Sequence, residues 1–256
     1  MDSLLNSGFP GPLLAQAPSS MGRLLGVDLI QIVRDSDLVG KLVLLVISGF
    51  SVASWAVMLY KFFHIRAAST QSDHFTRRCM VRAGTLEEAY KFSADYPDSP
   101  LAQLLREAMI ELEAENWYRE NYHGLGDEHR LQLAKVGIER VLERTISNEI
   151  SHLEGWLNFL ATTSTVCPFL GLFGTVWGIM GAFQNLSFAG SVALSTIAPN
   201  LATALGTTIG GLIAAIPASL MFNYLTNKNL LLISRMDSFA LELSNIIQKQ
   251  LLRRAA

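Results

Sequence analysis

Apolar residues fall in three different patterns along this chain, and each pattern predicts a different kind of helix. Leu42 to Tyr60 is apolar on every face, an uncharged run of 19 residues held between Lys41 and Lys61. At 1.5 Å per residue it makes about 29 Å of helix, close to the hydrocarbon thickness of a bilayer. Between Phe62 and Leu153 the pattern becomes amphipathic. Thr85 with Glu88 reads as a capping box that opens a short helix. Pro97-Asp98-Ser99-Pro100 ends it, and Leu101–Tyr118 then places Leu104, Leu105, Ala108, Met109 and Leu112 on one side of the next helix. Asn121 to Asp127 reads as a turn. From Arg130 onward, Ile138, Leu142, Ile146, Ile150, Leu153, Leu157 and Leu160 follow at spacings of 4, 4, 4, 3, 4 and 3. That is one apolar stripe, and no Pro or Gly pair interrupts it. It predicts a helix unbroken from residue 130 to residue 184, roughly 80 Å long.

The third pattern is an absence. From Gly155 to Asn227, 73 residues pass without one Asp, Glu, Lys, Arg or His. A charge at the bilayer centre costs about 2.5 to 3.5 kcal/mol, so a run this long points to hydrocarbon, and it is too long for one crossing of about 20 residues. It is rich in Gly, Thr, Ser and Ala and carries Pro168, Pro199 and Pro217. Gly171, Gly174, Gly178 and Gly181 recur at 3, 4 and 3, and Ala204, Thr208, Gly211, Ala215 and Ala218 form a matching small stripe, with Thr203 and Thr207 beside it. Small stripes let helix backbones approach closely in lipid. Pro217 removes a backbone donor and permits a bend. The expected fold is all-α and membrane-embedded: three transmembrane helices and a large helical cytoplasmic region, with the second crossing continuous with the long helix.

The segments follow. Residues 1–23 read as a loose Gly/Pro/Ser tail; Pro10, Pro12 and the absence of a basic stretch argue against a cleaved leader. Residues 24–37 read as a short interfacial helix with Leu25, Leu29, Ile32 and Val33 on one face. Crossings are expected at 38–61, 156–186 and 196–224, with a cytoplasmic region at 62–155, a periplasmic hairpin at 187–195 and a cytoplasmic C-terminal helix at 225–256. Charge orients them. Lys61, Arg66, Arg77, Arg78 and Arg82 follow the first crossing, and Lys228, Arg235, Lys249, Arg253 and Arg254 follow the third. The first 41 residues hold only Arg23, Arg34 and Lys41, and the hairpin holds no Lys or Arg. The positive-inside rule then puts the N-terminus outside and the C-terminus inside.

Composition agrees: 50% of residues are hydrophobic and 16% charged, against about 25% charged in soluble domains. The net charge of −2 leaves no nucleic-acid footprint. Cys79 and Cys167 suit neither a disulfide framework nor a metal cluster, and Cys167 reads as a small apolar packer. The five histidines (His64, His74, His123, His129 and His152) are not at metal spacing, and no phosphate-binding glycine motif follows a strand. The expectation is a protein that is not an enzyme and holds no cofactor or metal. What the small-residue crossings offer is hydroxyls, and a threonine hydroxyl does not titrate near neutral pH. If protons move here, another polypeptide must bring the titratable group against the Thr175 and Thr208 faces. The plainer alternative is that these threonines bond back to carbonyls of their own helix.

Three segments carry a resemblance. Pro168–Met180 (PFLGLFGTVWGIM) and Ala198–Ala218 (APNLATALGTTIGGLIAAIPA) resemble the signature crossings of the MotA/TolQ/ExbB proton channel family, and Gly49–Met58 (GFSVASWAVM) is similar to its TolQ branch. The resemblance covers nearly all of the chain beyond residue 24. It implies a multi-pass protein of the bacterial inner membrane, a homopentamer around two copies of a single-pass TolR-like or ExbD-like partner. That partner's transmembrane Asp would carry the proton, and the motion would drive a TolA-like protein and the Tol-Pal system in envelope constriction during cell division. In the ExbB alternative it would drive a TonB-like protein in outer-membrane uptake. It also implies that Thr175 and Thr208 are the family's two functional membrane threonines. The family pattern has a Glu five residues before the second of these, and here that position is Thr203. The expected ion pathway is Thr175, Thr208, Thr203 and Thr207, with Thr203 binding water or serving a Na⁺ path. Gly171, Gly174, Gly178, Gly181, Gly211 and Pro217 are the expected helix-packing positions.

Overall fold

The computed structural model describes residues 37–82, 85–121, 127–189 and 194–255. The expected N-terminal tail, the interfacial helix up to residue 36 and the centres of the turn after Asn121 and of the hairpin lie outside them. Among the described residues every element is a helix: α1 Leu38–Arg82, α2 Leu86–Ser93, α3 Pro100–Asn121, α4 Asp127–Glu154, α5 Leu157–Ala189 and α6 Leu194–Ala255. Three stretches are long and apolar enough to cross a membrane, Leu38–Cys79, Gln132–Gln184 and Asn200–Leu252.

Local chemistry sets the ends. Asp37 opens α1, its carboxylate accepting from the Leu38 N–H at 2.7 Å. The Thr85 hydroxyl accepts from the Glu88 N–H at 3.3 Å and caps α2. Pro100 stands first in α3, where its missing N–H costs nothing, and Ser99 caps that helix through the Ala102 N–H.

The chain packs as two compact units. One holds Thr163–Ile216 with the first part of the chain up to Val52; the other holds Ala53–Thr162 with Pro217–Ala256. In the second, Phe75 is fully buried, with Tyr96 and Phe239 edge-on to it at 6.0 and 6.1 Å. Leu104, Leu105, Ala108, Met109 and Leu112 are buried as their spacing foretold. So are Ile138, Leu142, Leu153, Leu157 and Leu160, with Ile146 and Ile150 half-buried. A stripe not anticipated runs down α6: Leu225, Leu232, Met236, Leu243 and Ile247 are all buried in this unit. α6 passes without interruption from the third crossing into the C-terminal segment and is helical through Pro217.

The expectation of an unbroken helix over residues 130–184 needs one correction. The second crossing does continue out of the long helix, but through a two-residue turn, Gly155–Trp156, in which Trp156 takes φ 67°. The left-handed region is a rare conformation for a bulky residue. In an uninterrupted helix the carbonyls of His152 and Leu153 would accept from the N–H groups of Trp156 and Leu157. Here side chains take them instead. Lys61 Nζ donates to His152 O at 2.7 Å and to Leu153 O at 3.3 Å, and Asn229 Nδ2 donates to Leu153 O at 3.0 Å. Lys61 and Asn229 are each only 2% exposed. A cation at a helix C-terminus also meets the negative end of the helix dipole.

Candidate functional site

The small-residue stripes meet in the first unit, and glycine is what lets them. A Cβ on Gly171 would lie 2.9 Å from both Thr207 O and the Thr208 Cα, and one on Gly174 would lie 2.7 Å from Thr207 Oγ1. One on Gly178 would meet the Ala204 Cβ at 2.7 Å, and one on Gly211 would sit 2.5 Å from the Cys167 carbonyl. α5 and α6 therefore approach backbone to backbone, the geometry expected of small faces in lipid. Gly181 differs from the other three: a Cβ there would meet nothing within 4 Å. Expected on the same packing face, it makes no such close approach to α6 among the described residues, where the tight contacts run from Gly171 to Gly178. Pro217 lies in the second unit, half-buried in a helix that continues past it.

At the contact the close approach gathers three hydroxyls. Thr175 Oγ1 lies within hydrogen-bond reach of Gly171 O and Ala204 O, both at 3.0 Å, and 3.4 Å from Thr207 Oγ1. It also makes a short contact with Thr208 Oγ1. The Thr207 hydroxyl donates to Ala204 O at 2.7 Å or to Gly171 O at 3.1 Å, and that of Thr208 to Gly171 O at 3.2 Å. The back-bonding alternative is thus present, Thr175 reaching its own helix at Gly171, but it is half of the geometry. The same hydroxyl bridges to α6. Each hydroxyl has one proton to give and two lone pairs to accept with, so several equivalent hydrogen-bond arrangements fit the same atoms. Thr207, expected beside the stripe, is its most buried member at 1% exposed; Thr175 is 8% exposed and Thr208 half-buried. Thr203 sits one turn before Thr207, also half-buried.

The site's chemistry is polar and untitratable. From Gly155 to Asn227 there is no acid, amine or imidazole. Hydroxyls and helix carbonyls can order water or align a hydrogen-bonded path, but none can hold a proton at neutral pH. Cys167, free and fully buried, packs with Val43, Ile47, Ala214 and Ala215 as a small apolar residue. Large apolar side chains on both helices stay exposed, among them Phe169 at 70% and Val176 at 58%. In a water-soluble protein such a surface would be a liability; against lipid or further helices it is an interface.

Comparison with known proteins agrees with this geometry. The profile of the MotA/TolQ/ExbB proton channel family matches residues 99–238. Among curated relatives, the Tol-Pal system protein TolQ of Pseudomonas aeruginosa is 32% identical, over 86% of this chain and 92% of its own length. The Tol-Pal system protein TolQ of Haemophilus influenzae is 29% identical, over 84% and 91%. The biopolymer transport protein ExbB of Salmonella typhimurium is 33% identical, over 74% of each chain.

Proposed function

The chain belongs to the MotA/TolQ/ExbB proton channel family, and from that premise we propose that it is a TolQ-like subunit of a motor of the inner membrane driven by the proton-motive force. The hydroxyl cluster of Thr175, Thr207 and Thr208 is the observation that carries this reading. It is a polar site built by close helix approach and lacking any group that could bind the proton. Such a site suits a ring of this chain, a homopentamer, around a single-pass TolR-like partner whose transmembrane Asp faces the threonines. The Asp takes up and releases the proton; the threonines and their carbonyls orient the water or the carboxyl along the way. The turning motion is passed to a TolA-like protein and energises outer-membrane constriction and envelope integrity during cell division. The charge distribution supports a periplasmic N-terminus and a cytoplasmic C-terminus.

Identity does not separate the candidates (32% against 33%), and the TolQ branch is favoured by the share of this chain that is matched, 86% and 84% for the two TolQ relatives against 74% to 82% for ExbB relatives. The ExbB reading, with an ExbD-like partner and a TonB-like protein, rests on those ExbB matches. A deletion strain distinguishes them: leakage of periplasmic contents and chained cells support the TolQ reading, and loss of siderophore uptake alone supports the other. The ion-path assignment is tested with Thr175→Val and Thr208→Val, which keep volume and remove hydroxyls. The expected result is loss of complementation by each variant with normal membrane levels and assembly. Full complementation by the double variant removes the ion path from these residues.

A further inference from the structure

A second site stands in the other unit, between α1 and α6, and its chemistry is basic. A cavity of about 260 Å³ there is lined by Phe62, Arg66, Ser69, Thr70, Tyr224 and Lys228, with Arg235 at its edge and no carboxylate in its wall. Arg235 is already engaged, donating to Asp73 at 2.7 Å. Arg66 has no hydrogen-bond or ion-pair partner among the described residues, and Lys228 has only the face of Tyr224, with Nζ 5.8 Å from the ring centroid. Two cations therefore converge on one cavity with two hydroxyls beside them and nothing negative to meet.

Position says what kind of anion fits. Arg66 lies five residues past residue 61, where the first crossing is expected to end, and Lys228 four residues past residue 224, where the third is. They are about 7.5 and 6 Å further along their helices. The headgroup layer extends about 5 to 8 Å beyond the hydrocarbon on each side, so both cations sit at the level of the lipid phosphates. Phe62 and Tyr224, with ring centroids 6.3 Å apart, form the wall of the cavity nearer the apolar runs, where aromatic side chains favour the interface. Beyond that wall, exposed apolar side chains continue toward the crossings: Leu59 at 54% and Phe63 at 64% on α1, Leu220 at 66% on α6. They offer a track for an acyl chain whose phosphate rests on the cations.

We propose that this cavity binds the phosphodiester headgroup of an anionic phospholipid, held by Arg66 and Lys228 with Ser69 and Thr70 as hydroxyl donors. Basic pockets between membrane helices on the cytoplasmic side are suited to such headgroups. The assignment does not depend on the motor reading, since it concerns residues outside the threonine cluster.

The test uses the full chain, purified in detergent and titrated with phosphatidylglycerol or phosphatidylcholine, with native mass spectrometry counting the lipid retained. The wild type is expected to retain phosphatidylglycerol in preference to phosphatidylcholine. Arg66→Gln and Lys228→Gln each weaken it by about fivefold and the pair by about 25-fold. Arg66→Lys, which keeps the charge, stays close to the wild type, as does Arg140→Gln, a surface change on α4. No preference for phosphatidylglycerol in the wild type overturns the proposal, whether or not the variants fold. So does equal weakening by Arg140→Gln, which would mark general electrostatic attraction. A parallel titration with inorganic phosphate separates the sources: lipid retained in excess phosphate supports a membrane ligand, and displacement at equal concentration makes the site one for a soluble anion and overturns the lipid assignment.

Discussion

At the scale of single residues, the α5–α6 contact is decided by atoms that are missing. Gly211 tolerates no Cβ because the Cys167 carbonyl would lie 2.5 Å away, and that atom is backbone, which cannot swing aside. Gly211→Ala should therefore force the helices apart and cost about 1 to 3 kcal/mol, read as a lowered thermal midpoint in detergent. Gly181→Ala, with open space around it, should leave that midpoint unchanged or slightly raised, since Ala is the better helix former. Equal effects from the two would contradict the packing described. The glycine spacing alone could not tell these positions apart. All four fall on one face, but how far the partner helix follows that face depends on the crossing, which spacing does not encode. The same holds for Thr207. Its place beside the small stripe was legible, its position under Gly174 was not. Thr175 and Thr208 were legible as facing hydroxyls because both fall on small-residue stripes; what only the structure shows is that they share one acceptor, Gly171 O, and that Thr207 shares the other, Ala204 O, with Thr175.

Among the elements, the long helix into the second crossing is the informative case. Its apolar stripe stays in register from Ile138 to Leu160, so periodicity gave no sign of the turn at Gly155–Trp156. A glycine there is visible in the sequence, yet the left-handed residue is the tryptophan after it. A left-handed Trp is held only by tertiary contacts, and those come from far along the chain, Lys61 on α1 and Asn229 on α6. Sequence reading took Lys61 for the charged end of the first crossing; its burial and its two carbonyl partners could not be read from its neighbours. Lys61→Met should leave these carbonyls short of donors and destabilise the chain by about 2 to 3 kcal/mol, checked by thermal unfolding in detergent. An unchanged midpoint would mean that the turn holds itself. His64, stacked on Tyr60 one turn beyond Lys61, adds a pH dependence. Burial, reinforced by the charges of Lys61 and His152 and opposed by Asp98, holds its pKa below the usual histidine value of 6.5. The folded chain then binds fewer protons at this site than the unfolded chain. Stability is fully present above about pH 6.5 and falls as the pH drops below it. His64→Phe keeps an aromatic ring against Tyr60 and should flatten the dependence of the thermal midpoint between pH 7 and pH 5.5. An undiminished slope would assign it elsewhere.

For the whole molecule, the three apolar stretches and the amphipathic region between the first two were legible because lipid and water impose coarse, periodic demands on a sequence. The continuity of α6 was not, since the sequence divides the third crossing from the C-terminal helix by charge but does not say that the two form one unbroken helix. What unites the molecule is a division of labour: helices fit to cross a membrane, a polar contact made by close packing, and no carboxylate, amine or imidazole in the apolar run that builds it. A proton path through such a chain needs an acid from a companion. Proton flux into vesicles under an imposed gradient tests this most directly, comparing vesicles that hold the purified chain alone with vesicles that also hold the proposed TolR-like partner. The account predicts background flux for the chain alone and a flux well above it once the partner, with its membrane Asp intact, is present. Sustained proton currents through vesicles containing only this chain would contradict it.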